Sequence, residues 1–223
     1  NDRDAVAMFR LIEIVRGRED RDAAGREAVD HRPELPPRHR VDARRGFIEE
    51  QHGRRMQGRT RQRKALFDIL GHGQFAPGGV SLLQDAHVLD VFAGTGALGI
   101  EALSRGAGQA VFVDRARPAL AVLRANLAAL GLAAPQAHVR AGDAFAAVRD
   151  ASAAGEAYDL VFLDPPYRHA GELGPRLSEA LPPILAVGAR IVSESDRRAP
   201  LDLALPTVHE RRYGDTLIRI HQP

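Results

Sequence analysis

A doubly wound, mostly parallel α/β sheet is the fold class this sequence predicts, on three observations. Short apolar runs alternate with helical patterns along residues 63–223, and glycine ends several of them. A G-x-G-x-x-G segment, Gly94-Thr95-Gly96-Ala97-Leu98-Gly99, stands between the first such run and the first such helix. Acidic residues Asp114, Asp143 and Asp164 follow later runs, at what become strand C-termini. Alternation of this kind, with right-handed crossovers, gives a parallel sheet with helices on both faces.

The first 62 residues lack that order. Ala5 to Val15 has the spacing of a short amphipathic helix; Arg-, Asp- and Glu-rich stretches with Pro33, Pro36 and Pro37 follow. So little apolar periodicity predicts a poorly ordered arm over 1–62 and a folded domain over 63–223. The domain begins with Ala65, Leu66, Ile69 and Leu70 at helical spacing, ending at Gly71 and Gly73. A strand is predicted at His87–Phe92, a tight turn at Gly94–Gly99 and a helix at Ala97–Arg105 stopped by Gly106. Ala110–Val113 is a second strand closing on Asp114. The next helix, about Ala116 to Leu130, places Leu120, Leu123, Leu127 and Leu130 on one stripe before Gly131. Ala137–Arg140 is a third strand, Asp143 opens a short helix, and Tyr158–Leu163 is a fourth strand. A helix within about Leu173–Leu181 leads through Pro182-Pro183 to a fifth strand at Ala189–Ser193. Val208–Tyr213 and Thr216–His221, joined by Gly214-Asp215, carry a hairpin signal that adds antiparallel pairing at one edge.

Composition excludes several classes. The chain has no cysteine, so disulfides, thiolate metal sites and a cysteine nucleophile are all absent. Its nine histidines form no HxH or HxxxH pair, and no metal is expected. No run approaches eighteen apolar residues, and Asn1-Asp2-Arg3-Asp4 lacks a signal's apolar core, so a soluble, cytoplasmic monomer is expected. Charge is uneven. Residues 1–65 hold 17 Arg and Lys against 12 Asp and Glu, whereas 66–223 hold 14 against 17. Lys64 is the only lysine, and arginine favours bidentate phosphate contact. An arginine-favouring base composition of the gene explains that bias equally well.

The glycine segment fits a dinucleotide fingerprint, with Asp114 twenty residues beyond Gly94 to meet a ribose. Asp90, inside the preceding strand, argues against a pyrophosphate and for a cationic ligand. S-adenosylmethionine fits, with no phosphate, one ribose, one adenine, a sulfonium and an ammonium. Asp143 can then reach the adenine edge. A buried acid that merely caps the loop is the alternative for Asp90.

The second motif is Asp164-Pro165-Pro166-Tyr167, directly after the fourth strand. The C-terminal edge of such a sheet is where ligands bind. Two prolines have no N–H and cannot fold back into helix, so nearby carbonyls can accept from a ligand. A carboxylate, a carbonyl and an aromatic ring together suit a planar heterocycle with an exocyclic amine. An ordinary strand-ending diproline turn is the plain alternative.

Asp90-Val-Phe-Ala-Gly-Thr-Gly96, the following Ala-Leu-Gly-Ile-Glu-Ala-Leu-Ser-Arg-Gly106, and Asp164-Pro-Pro-Tyr167 resemble the bacterial 16S rRNA guanine-N2 methyltransferase family. The resemblance covers about residues 63–223. It implies the class I S-adenosylmethionine fold, with seven strands and a terminal antiparallel hairpin. It further implies that Asp90, Phe92, Ala93, Gly94 and Gly96 line the methionine and ribose part of the cofactor. Asp114 with Arg115 would meet the ribose, Asp143 with Ala144 the adenine, and Asp164 to Tyr167 the target base. The implied reaction moves a methyl group to guanine N2 in 16S rRNA, free or in the assembled small subunit. The family's front segment, an Arg-Pro-Thr-x-Asp motif after a basic hairpin, has no counterpart here, although Arg63-Lys64-Ala65-Leu66-Phe67 resembles its helix. Other expectations stay open: an adenine-N6 or cytosine-N4 methyltransferase, an NAD-dependent oxidoreductase, or a fold-retaining RNA-binding protein. Asp rather than Asn at position 164, and the missing cysteine, favour guanine.

Overall fold

The computed structural model of the protein describes residues 62–71, 81–166 and 170–223. The predicted arm, with its helix at Ala5–Val15, thus lies outside the described residues but for Gln62.

A helix over 62–71 (α1) is followed by β1 (His87–Asp90), α2 (Ala97–Ser104), β2 (Gln109–Asp114) and α3 (Arg117–Ala129). Next come β3 (Ala137–Ala141), α4 (Ala144–Ala153), β4 (Tyr158–Leu163), α5 (Ala170–Ala180) and a 3-10 turn at Pro182–Ile184. The chain closes with β5 (Leu185–Asp196), β6 (Thr207–Tyr213) and β7 (Thr216–His221). Seven strands form one sheet in the order β3-β2-β1-β4-β5-β7-β6. The first five are parallel, and β7 joins β5 and β6 antiparallel. That is the predicted mostly parallel, doubly wound sheet with its terminal hairpin. Strand order reverses beside β1, between β2 and β4, and this switch point is where an open α/β sheet binds ligands.

Alternation along the strands explains the two cores. Val88, Phe112, Leu160 and Phe162 turn to one face and pack with Phe67 of α1, Ile100 of α2 and Leu123 of α3. Leu89, Val111, Val161 and Leu163 turn to the other and meet Phe145 and Val148 of α4 and Leu177 of α5. Both faces are covered, so the central strands are largely apolar, β4 being buried in every residue but Asp159.

Two strands differ from expectation. β1 stops at Asp90, two residues short of the predicted Phe92, because the chain swings out of the ladder. Val91 N–H still donates to Phe162 O (3.1 Å), but Ala93 N–H already donates to Val113 O on the opposite neighbour (2.9 Å). β5 runs Leu185–Asp196, well beyond Ala189–Ser193, because backbone pairing with β7 carries the polar residues Glu194–Asp196.

Gly99 seats α2 on β2. A Cβ there would lie 2.3 Å from Phe112 Cε1, a ring atom of a fully buried side chain. Gly99→Ala is therefore expected to cost ~1–3 kcal/mol by overpacking, read as a lower urea midpoint. An unchanged midpoint would refute this packing account.

Candidate active site

The loop between β1 and α2 is held from several directions. Gly94 (φ +54°) and Gly96 (φ +84°) take left-handed conformations that glycine adopts without strain. Asp114, at the end of β2, accepts from Gly94 N–H at 2.7 Å and, through its other oxygen, from Ala116 N–H at 2.8 Å. Buried Asn126 of α3 donates to Thr95 O at 3.0 Å. The backbone around Gly94 is thereby set against the sheet edge before any ligand arrives.

Above that edge lies a cavity of about 640 Å³. It is lined by Phe92, Ala93 and Gly94 of the loop, Asp114 and Arg115 after β2, Asp143 and Ala144 after β3, and Asp164, Pro165 and Pro166 after β4. Four segments distant in sequence therefore meet in one concavity at the predicted end of the sheet. Tyr167 lies outside the described residues, as do Arg168 and His169.

Two placements differ from the sequence reading. Asp90 does not line the cavity: it is 1 % exposed, behind the loop, because the chain turns away only after it. One of its oxygens accepts from Gly99 N–H at 3.1 Å, and the other has no hydrogen-bond partner among the described residues. Gly96 is likewise absent from the lining. It is the N-cap of α2, and a Cβ there would sit 2.4 Å from Leu123 Cδ1, so its role is close packing onto α3. Asp143 borders the cavity and opens α4 as the sequence predicts, its Oδ1 accepting from Phe145 N–H (3.0 Å) and Ala146 N–H (3.1 Å).

One wall was not anticipated. Glu172, Leu173 and Arg176 of α5 close the cavity, with the Arg176 guanidinium 3.9 Å above the Phe145 ring. Their only signal in sequence is the i, i+4 spacing of Glu172 and Arg176, which exposed helices show commonly.

The electrostatics favour a cation. Asp114, Asp143, Asp164 and Glu172 face the space against Arg115 and Arg176. Burial pushes the Asp90 carboxyl up to about 7; the Gly99 N–H opposes this, and the negative charges of Asp164 and Asp114 add to it. A positive ligand would relieve that stack of like charges. The orphaned Asp90 oxygen and the acidic lining thus fit a sulfonium and ammonium better than a pyrophosphate. Among the described residues, no group of three or more acids and histidines is placed to hold a metal, and no helix is long and apolar enough to cross a membrane.

A family model described as Conserved hypothetical protein 95 matches residues 49–222. The chain belongs to this family. The sequence resemblance to 16S rRNA guanine-N2 methyltransferases leads to the same Conserved hypothetical protein 95 family. Among relatives, YlbH of Bacillus subtilis (strain 168), assigned provisionally as an rRNA methyltransferase, is 36% identical over 144 residues. That match covers 60% of this chain and 74% of YlbH. Ribosomal RNA small subunit methyltransferase D of Escherichia coli (strain K12) is 39% identical over 108 residues, 48% of each chain. Among solved structures, yhhF of Escherichia coli, titled provisionally as a methyltransferase, superposes with TM-score 0.58 at 33% identity, covering 73% of this chain and 84% of that one. SMU.776, a methyltransferase by provisional title and complexed with SAH, superposes with TM-score 0.52 at 15% identity, covering 64% and 47%. The fold is that of the class I S-adenosylmethionine-dependent methyltransferases, and by family and fold the chain is a methyltransferase.

Proposed function

We propose that the protein transfers a methyl group from S-adenosylmethionine to the exocyclic N2 of a guanine in 16S rRNA of the small ribosomal subunit. The observation that carries this reading is the convergence of Asp164, Pro165 and Pro166 with Gly94, Asp114 and Asp143 on one cavity. The identity to small subunit methyltransferase D supports the substrate class.

Bound there, S-adenosylmethionine supplies an electrophilic methyl on a cationic sulfur. Asp114 and Arg115 would meet its ribose, Asp143 and Ala144 its adenine, and the backbone of Phe92, Ala93 and Gly94 its amino-acid part. Asp90 acts on the cation from behind the loop, through charge rather than contact. An aryl amine is a weak nucleophile because its lone pair is delocalised into the ring. Asp164 and the Pro165 carbonyl would accept hydrogen bonds from the guanine N2 amine, favouring a pyramidal nitrogen and stabilising the positive charge that grows there. Tyr167 would stack on the base and fix its plane. Alignment of nitrogen with the methyl group supplies the rest, and such positioning contributes roughly 7–11 kcal/mol in favourable cases. The target base must leave its stack to enter.

Transfer of labelled methyl to assembled small subunits, naked 16S rRNA and DNA, compared side by side, tests the substrate class. Label in the rRNA, free or assembled, is expected. Label in DNA alone would replace the reading with a DNA amino-methyltransferase, and cofactor binding without transfer to any of the three would leave an RNA-binding protein.

A further inference from the structure

A second concavity lies along the same sheet edge. It measures about 340 Å³ and is lined by Arg197, Arg198, Arg212 and Arg219 with Pro200 and Leu217. Its position follows from register. Leu163, directly before Asp164, pairs with Ser193 of β5; two residues on, Ser195 pairs with Leu217 of β7, and Leu217 with Arg212 of β6. Arg197 and Arg198 directly follow the end of β5. Arg212 therefore sits at the level of Pro165 on the third strand from β4, and Arg219 on the second strand at the level of Leu163. Arg197 and Arg198 lie just past the end of the first, so the displacement is one to three strands, or about 5–15 Å at ordinary strand spacing.

Carboxylates hold this cluster, yet none lines it. Asp215 pairs with Arg197 and Arg198 (3.4 Å each), and Glu210 with Arg212 (3.1 Å). Arg219 is gripped twice, by Asp202 at 2.6 Å and Glu210 at 2.9 Å, which fixes its plane with only 21 % of the side chain exposed. Arg197, Arg198 and Arg212 are exposed, so their pairs hold weakly and can yield to a stronger anion. Four planar, multiply donating cations converging on one hollow, with their acids outside it, match a phosphate group.

We propose that this arginine hollow binds a backbone phosphate of the RNA strand flanking the target base, while the base itself occupies the cavity at Asp164. The inference rests on the rRNA reading above and adds a subsite to it. Placing a phosphate anchor beside the base pocket, on the same edge, would keep the strand in register while one base is turned out.

The test is the triple variant Arg197→Gln/Arg198→Gln/Arg212→Gln, which spares half-buried Arg219 and changes only exposed side chains. Affinity for transcribed 16S rRNA is measured at several salt concentrations, alongside calorimetry with S-adenosylmethionine and turnover at saturating RNA. The expected result is ~10–10²-fold weaker RNA binding, with a salt slope reduced by about 0.7 for each single-strand phosphate no longer neutralised. KM for RNA should rise by the same factor while turnover and cofactor affinity hold. Replacing the same three residues by Lys should restore most of the salt slope. RNA affinity and slope equal to the parent protein's would overturn the arginine subsite alone, including if inorganic phosphate still binds there. A parent protein that binds no rRNA would overturn the functional reading and this subsite with it.

Discussion

Asp164→Ala is expected to cut methyl transfer by ~10²-fold or more while leaving S-adenosylmethionine binding in place. The carboxylate stands directly after β4, in the lining of the cavity, and is the acidic acceptor nearest the prolines that would receive the base. Its removal deletes an interaction that grows as positive charge develops on the attacking nitrogen. Single-turnover rates with the cofactor prebound separate this from a binding defect. A second signature should accompany the loss. Asp164 contributes to the raised Asp90 carboxyl, so without it Asp90 should ionise at lower pH. A transfer rate within a few-fold of the parent protein's would remove Asp164 from the chemistry.

The second large effect concerns Asp90 itself. With its carboxyl pushed up to about 7 by burial, the protein without ligand holds a proton there below neutrality. A cation in the neighbouring cavity favours the ionised form, so binding should release that proton. Affinity for S-adenosylmethionine should therefore rise with pH and level off above about 7. Calorimetry at pH 6 in buffers of differing ionisation enthalpy should detect the proton. Asp90→Asn keeps an acceptor for Gly99 N–H but cannot ionise. It should bind ~10–10²-fold more weakly at pH 8, the scale of one unit charge at an effective dielectric near 20, and lose the pH dependence.

Stability should change in the opposite sense. The folded chain keeps the Asp90 proton between about pH 4 and 7, where the unfolded chain has lost it. The parent protein's stability from this group is thus fully present below about 4 and is lost as pH rises through 7. Melting temperatures of the Asn variant relative to the parent should climb from pH 5 to pH 8. A flat difference would mean that Asp90 is not a buried acid with a raised pKa.

Much of this was legible in the sequence because the parallel strands are short apolar runs ended by acids or glycines. Tyr158–Leu163 has its predicted bounds, since every residue but Asp159 is buried. β5 was under-read because its ends carry Val187, which is fully exposed, Gly188 and Glu194, and only backbone pairing extends it. Within the site, motif spacing located the segments but not their depth. Asp90 ends β1 and Gly96 closes the loop that carries Gly94, yet one lies beneath the loop and the other packs into the core, because the chain leaves the sheet between them. Only part of the α5 wall is legible: Leu173 and Arg176 fall within the predicted helix, whereas Glu172 precedes it. Gly171, Gly174 and Pro175 make a poor helical pattern, and the helix is instead seated by tertiary contact, Gly174 lying so near Asp202 O that a Cβ there would come within 2.2 Å.

The most direct test of the central claim is the identity of the modified nucleoside. 16S rRNA and assembled small subunits, taken from cells lacking the gene, are incubated with the purified protein and methyl-labelled S-adenosylmethionine, then digested to nucleosides. The account predicts label in N2-methylguanosine, absent when Asp164→Ala replaces the parent protein. Label in N6-methyladenosine or N4-methylcytidine, with guanosine unmodified, would contradict it.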